Sequence, residues 1–175
     1  LESVKFGHEL TCLGNLYPVT EEVAADDIVN NEIDSYMFQT VGSEVIPLIA
    51  ECMEKPLIRK PINGTSENQN LFYNIAEENK DEVEDLYALL KEAKEEYNIE
   101  AVSSGAILSD YQRLRVENVC ERLQLISLAY LWQRNQSELL DSMIENQIDA
   151  RFVKIACIGL KPTFLMKSIQ DMRSE

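Results

Sequence analysis

On one predicted helix, Tyr111, Arg115, Asn118 and Arg122 recur at i, i+4, i+7 and i+11, which gathers two guanidinium groups, an amide and a phenol on one helical face. Such a face offers donors to a phosphate or a carboxylate. Residues 110–134 hold four arginines against three acids in a chain whose net charge is −15. Spacing alone favours a plainer reading, a solvated face on which Arg113 pairs with Glu117 at i, i+4 for about 0.2–0.5 kcal/mol. Trp132 and Arg134 follow at the end of the next predicted strand, where Trp132 serves equally well as a core anchor or as a platform for a ring or cation. His8 is the only histidine, so no Ser-His-Asp or histidine metal constellation can be built except through it, and it reads as an incidental surface residue. No metal ligands are assigned. The acidic run at 81–86, DEVEDL, fits a helix cap better than a cation site.

The elements that must position these residues alternate between strand and helix. Apolar runs at 11–16, 57–62, 101–108, 126–132 and 151–159 predict strands. A helix is expected from Asp34 or Ser35, with Met37, Val41, Val45, Leu48 and Cys52 on one stripe and a kink at Pro47. Val83, Leu86, Leu89, Leu90 and Ala93 form a second stripe within residues 77–100, whose ten acids against three bases read as a solvated acidic face. Val116, Val119, Cys120 and Leu123 form a third, with Ser109 or Asp110 at the helix start and Arg115 placed opposite the stripe. Residues 63–79, rich in Asn, Gln, Ser and Glu, predict a long mobile surface loop whose ordering needs a ligand or partner. This alternation implies a parallel sheet with helices on its faces, in an α/β/α sandwich. Ligands then bind beyond the carboxyl ends of the strands, a place occupied by residues 105–111.

Composition narrows the partners. At 175 residues the chain fits one domain of ordinary size, and no apolar run approaches the ~20 residues that span a bilayer. Its acidity argues against direct nucleic-acid binding, which depends on phosphate neutralisation by Lys and Arg. The first ten residues lack the pattern of a signal peptide, so a cytoplasmic location is expected. Cys12, Cys52, Cys120 and Cys157 show none of the paired spacings of zinc or redox sites and read as reduced core residues.

Four segments carry a resemblance: DSYMFQTVG at 34–42, DEVEDL at 81–86, GAILSDYQRLRVENVCERL at 105–123 and YLWQR at 130–134. Together, in this order, they resemble the diphthine-ammonia ligase family of the adenine nucleotide alpha hydrolases with a pyrophosphatase loop. The resemblance implies the parallel three-layer α/β/α fold of that superfamily, of HUP type, over residues 1–160, with 161–175 starting a connection to a further region. It also implies ATP, together with Mg2+, as the cofactor. The implied reaction is amidation of diphthine, a modified histidine on translation elongation factor 2, by ammonia through an adenylylated carboxylate.

In that reading the adenosine lies near Asn15, Leu16 and Tyr17 and against Gly105, and the amides near Ser109 and the Arg115 guanidinium stabilise phosphate charge. Asp34, Ser35, Tyr36, Gln39, Tyr111, Gln112 and Asn118 stand on the substrate side, bordered by Trp132 and Arg134. Glu117 assists ammonia attack or, preferably, orients an arginine. The family's Ser-Gly-Gly-Lys-Asp-Ser loop is expected upstream of Leu1, and its Gly-Glu-Gly-Gly-Glu-Tyr-Glu-Thr segment beyond Glu175, so these residues alone are expected to have little ligase activity. The alternative is a noncatalytic nucleotide-binding or protein-interaction module that has lost the phosphate loop.

Overall fold

The computed structural model describes residues 1–19, 35–73, 80–155 and 159–173. Asp34, Cys157 and the predicted loop at 20–31 fall outside them. The chain divides into two compact units, Leu1–Tyr130 and Leu131–Glu175, a division that falls inside the span read from sequence as one domain.

In the first unit, helix α1 (Glu2–Lys5) precedes strand β1 (Leu13–Pro18), and helix α2 (Ile46–Cys52) leads to strand β2 (Leu57–Ile62). The two strands pair in parallel, from Leu13 opposite Leu57 to Pro18 opposite Ile62. Helix α3 (Glu82–Tyr97) then crosses to strand β3 (Ala101–Ser103), and helix α4 (Asp110–Arg122) to strand β4 (Ile126–Leu128), again a parallel pair. Each pair forms its own two-stranded sheet among the described residues.

Two helices start and pack as their sequences dictate. The Asp81 carboxylate caps α3 by accepting from the Val83 amide at 3.0 Å, and Asn98, in the left-handed region at φ 50°, ends it. Val83, Leu89, Leu90 and Ala93 are buried, each apolar side chain of this size contributing ~1.5–3 kcal/mol against exposure where it is a Val or Leu. On α4, capped by Ser109 at the Gln112 amide, Val116, Val119, Cys120 and Leu123 join Val83 and Leu90 in one core cluster. Leu16, Ile58 and Ile62 from β1 and β2 meet Leu89 and Ala93 in a second.

Elsewhere the structure corrects the reading. No helix runs from Ser35: a 3-10 turn at Ser43–Val45 follows Gly42, and α2 begins only at Ile46. Pro47 sits in its first turn, where an absent N–H leaves no bond unmade, so it starts a helix rather than kinking one. β3 and β4 are three residues each, because the chain turns away at 104–108 and again at 130–133, where Gln133 takes φ 55°. Within 151–155 there is no strand, only an isolated bridge from Arg151 to Ser168. Of the cysteines described, only Cys120 is buried, its thiol pushed up to about 11 by burial and then by the charge of Glu117, while Cys52 is exposed.

The second unit holds helix α5 (Gln136–Glu145) and helix α6 (Ile169–Met172). Asn135 caps α5 through the Ser137 and Glu138 amides, and Arg173 forms an ion pair with Asp141. Among the described residues no helix is long and apolar enough to cross a membrane.

Candidate functional site

The basic face of α4 is turned into the protein. Arg115 lies four residues before Val119, so it flanks the apolar stripe instead of opposing it, and it is 0% exposed. Its Nη2 donates to the Asn68 carbonyl and, at 2.9 Å, to that of Asn70, while Nη1 donates to the Tyr111 carbonyl at 3.3 Å. The guanidinium lies 3.3 Å from the centroid of the Tyr111 ring and 5.5 Å from that of Tyr73. Two turns further on, Arg122 forks onto both oxygens of Glu84 at 2.9 and 2.7 Å and lies 4.2 Å from the Tyr87 ring centroid. The Arg113–Glu117 pair expected of a solvated face is present, but Arg115 and Arg122 do not belong to such a face. The Nη donors of Arg115 and Arg122 are directed at groups of the protein itself, while the buried Arg115 Nε has no hydrogen-bond partner among the described residues.

Arg122 holds α3 through Glu84, and Arg115 holds the segment after β2. The acids of the DEVEDL run each take a group from it: Asp85 Oδ2 accepts from the Asn63 and Gly64 amides at 2.8 Å, and Asp81 Oδ2 from the Asn68 amide at 2.9 Å. Glu82 Oε1 accepts from the Ser66 hydroxyl at 2.9 Å, and Glu84 Oε1 from the Tyr73 hydroxyl at 2.9 Å. The run is therefore more than a cap, and within residues 63–73 the order that was expected to need a ligand is supplied by the chain. Gly64 is required here, since a Cβ would stand 2.5 Å from the Asp81 carbonyl carbon and the Glu82 nitrogen. Burial pushes the Glu84 carboxyl up, but the hydrogen bonds from Arg122 and Tyr73 and the Arg122 charge outweigh it and leave Glu84 below its ordinary value.

Facing this charged cluster along α3, a cleft of about 810 Å³ opens between the two strand pairs. Its walls include Cys12 and Gly14 at β1, Ser103 and Gly105 at β3, and Leu86 and Leu89 from α3. Each pair leaves both of its outer edges without a strand partner among the described residues, and it is β1 and β3, from different pairs, that line the cleft together. A Cβ built on Gly105 would meet nothing within 4 Å.

The expected site residues fall into separate groups. Gly105, Gln39 and Gln112 line the cleft. Ser35, Tyr36, Tyr111 and Gln112 cluster beside Arg115: the Tyr36 and Tyr111 ring centroids are 6.0 Å apart, and Gln112 Nε2 donates to the Tyr36 and Met37 carbonyls at 3.4 and 3.2 Å. Ser35 Oγ accepts from the Met37 and Phe38 amides. Asn118 is partly buried, with its Oδ1 lacking a hydrogen-bond partner. Glu117 pairs with Arg113 at 2.6 Å, and Asp110 joins from the other side at 3.1 Å. The side chains of Asn15, Leu16 and Tyr17 do not line the cleft: Asn15 Oδ1 accepts from Arg59 Nε at 2.8 Å, Leu16 is in the core, and Tyr17 lies under the Arg59 guanidinium. Trp132 and Arg134 belong to the second unit. Ser109 is spent on the α4 cap. His8 is exposed, as read, and hydrogen-bonds the Tyr130 hydroxyl.

Sequence reasoning missed Ser66, Asn68 and Glu82. A signal existed for Glu82, which stands four residues before Leu86 and seven before Leu89, so it extends the buried stripe by one turn. Nothing in the periodicity of 63–73 marks Ser66 or Asn68.

Parallel strand pairs joined through helices, with a cleft between them, make this an α/β protein of Rossmann-like class. Residues 11–127 match the family described as diphthamide synthase N-terminal domain, and the chain belongs to that family. Among similar curated proteins, one from Homo sapiens named diphthine–ammonia ligase is 51% identical over 98% of this chain and 62% of its own length. A Danio rerio protein of the same name is 50% identical over 98% of this chain and 65% of its own, and one from Schizosaccharomyces pombe is 48% identical over 100% and 27%. The chain thus spans less than two thirds of each of these relatives.

Proposed function

We propose that the protein containing this chain amidates diphthine to diphthamide on translation elongation factor 2, as an ATP-dependent ligase forming a C–N bond. The observation that carries the reading is the family match over residues 11–127, together with relatives of that name about as similar as half-identical along nearly the whole chain. The diphthine carboxylate attacks the α-phosphorus of ATP and pyrophosphate leaves. Ammonia then attacks the activated carbonyl carbon, AMP leaves with the carboxyl oxygen, and the new nitrogen loses a proton. AMP is a far better leaving group than a carboxylate oxygen, which is why activation precedes amide formation.

The cleft suits ATP in size and chemistry, since ligand pockets of ~300–1,000 Å³ with apolar walls and a few polar groups bind molecules of this kind. Gly105 leaves room for close approach, and Ser103 supplies a hydroxyl. The adenosine is assigned to the carboxyl end of β1, where Asn15, Leu16 and Tyr17 offer backbone rather than side chains. Phosphate charge falls to the N-terminus of α4 after Ser109. Mg2+ commonly takes most of its ligands from phosphates and water, so it would travel with the nucleotide. The described residues contain no group of three His, Cys, Asp or Glu placed to hold a metal.

On the diphthine side we assign Asp34, Ser35, Tyr36, Gln39, Tyr111, Gln112 and Asn118; Trp132 and Arg134 are carried as substrate-side candidates by resemblance alone. Arg115 acts through the segment it clamps, as a positioning residue, and Glu117 orients Arg113. The cytoplasm, where the elongation factor works, is the assigned location. The complete encoded protein, mixed with diphthine-bearing elongation factor, ammonia and ATP, should yield diphthamide, AMP and pyrophosphate. Absence of both diphthamide and AMP contradicts the reading and favours a noncatalytic nucleotide-binding or interaction module.

A further inference from the structure

Tyr36 combines two properties that rarely coincide. Its residue is 62% exposed, yet the backbone on both sides of its Cα is pinned from three other segments. The Tyr36 amide donates to Ser66 Oγ at 3.4 Å, and the Ser66 hydroxyl in turn donates to Glu82 Oε1 at 2.9 Å. The Met37 amide donates to the same Glu82 oxygen at 3.2 Å, while Gln112 holds the carbonyls of both residues. Glu82 is 1% exposed, and Gly64, packed against its nitrogen, leaves no slack in the segment that carries Ser66.

A buried carboxylate spent on the Met37 amide and on the hydroxyl that holds the Tyr36 amide is a costly way to order an exposed side chain, and the ring so ordered stands 6.0 Å from the Tyr111 ring at 55°. Aromatic side chains held rigid before binding lose little conformational freedom on contact and are the usual anchors of recognition surfaces. We infer that Glu82 is a positioning residue that, with Ser66, fixes Tyr36 as a preorganised aromatic contact for the diphthine side chain of the protein substrate. The inference rests on the amidation reading and deepens it: Glu82 touches no substrate and acts only through Tyr36.

The test is steady-state amidation by the complete encoded protein, varying diphthine-bearing elongation factor at saturating ATP and then ATP at saturating factor. Tyr36→Ala and Glu82→Ala should each raise KM for the factor about tenfold, with KM for ATP unchanged. The double variant should be no worse than Tyr36→Ala alone, because the two act as one unit. Glu82→Gln should restore the wild-type KM, since both hydrogen bonds end on one oxygen that the amide retains. A merely structural Glu82 lowers the amount of folded enzyme and leaves both KM values in place. If Glu82→Ala does not fold, Ser66→Ala cuts the link to the Tyr36 amide and carries the same expectation.

An unchanged KM for the factor, or effects of Tyr36→Ala and Glu82→Ala that add independently, overturns the inference while wild-type turnover leaves the amidation reading standing. A wild-type protein that makes no diphthamide overturns that reading and this inference with it.

Discussion

The α3–α4 cluster and the cleft lie on the same unit and are built on opposite terms. In the cluster, charge is dense and consumed: Arg115 and Arg122 answer to carbonyls and to Glu84, and the acids at 81–85 answer to amides and hydroxyls of residues 63–73. In the cleft, the walls are mostly strand edges, leucines, small residues and neutral amides, with Glu9, Glu100 and His8 also among them, and the volume is open. The residues that look most like an anion site in sequence are the ones whose terminal guanidinium nitrogens are already engaged. A conspicuous arginine is evidence of a ligand only when nothing nearer accepts its hydrogens, and the polar backbone of a long loop is a ready acceptor.

The comparison is sharpened first at Arg115. Arg115→Ala leaves the Asn68 and Asn70 carbonyls without their donor and opens space beneath Tyr111, so it should cost about 3 kcal/mol in thermal or urea unfolding. Lysine should not rescue it, because one ammonium cannot reproduce the planar fork. A variant as stable as the wild type would mean that Arg115 is free for a ligand.

Glu84→Gln should cost less, about 2 kcal/mol, by breaking a forked charged hydrogen bond. Its folded value is lowered, so the stability it contributes is fully present above the ordinary glutamate value of about 4.3 and is lost as pH falls through the lower folded value. The acid limb of the stability curve should therefore flatten in the variant below about pH 4.3. An unaltered acid limb removes Glu84 from the cluster. Glu117→Gln is the smallest change: the side chain is 39% exposed and its partner is Arg113, so the loss should stay under about 0.5 kcal/mol. A larger loss would extend the engaged cluster to the outer face of α4.

Sequence reading reached the parts of this architecture that depend on local pattern. The stripes of α3 and α4 and strand β2 were legible because 3.6-residue and two-residue periodicities report which side faces a core. Residues 35–52 misled because Met37, Val45 and Leu48 share helical spacing but not a burial environment: Met37 is in the core, while Val45 and Leu48 are exposed. The site was harder still. Whether Arg115 faces solvent is decided by Asn68, 47 residues earlier, and no local pattern carries that information. Gly105 and Gln112 were found through resemblance and do line the cleft, whereas the bonds that orient Gln112 run to carbonyls at 36 and 37 and are visible only in three dimensions.

The central claim is that ligand binds in the cleft and that the arginine face of α4 holds the fold. ATP affinity of the complete encoded protein carrying Gly105→Leu, measured by calorimetric titration, addresses it most directly, because the added side chain projects into open space and leaves the cluster untouched. Loss of ATP binding with an unchanged unfolding midpoint is the expected result; wild-type affinity in that variant would place the nucleotide outside the cleft.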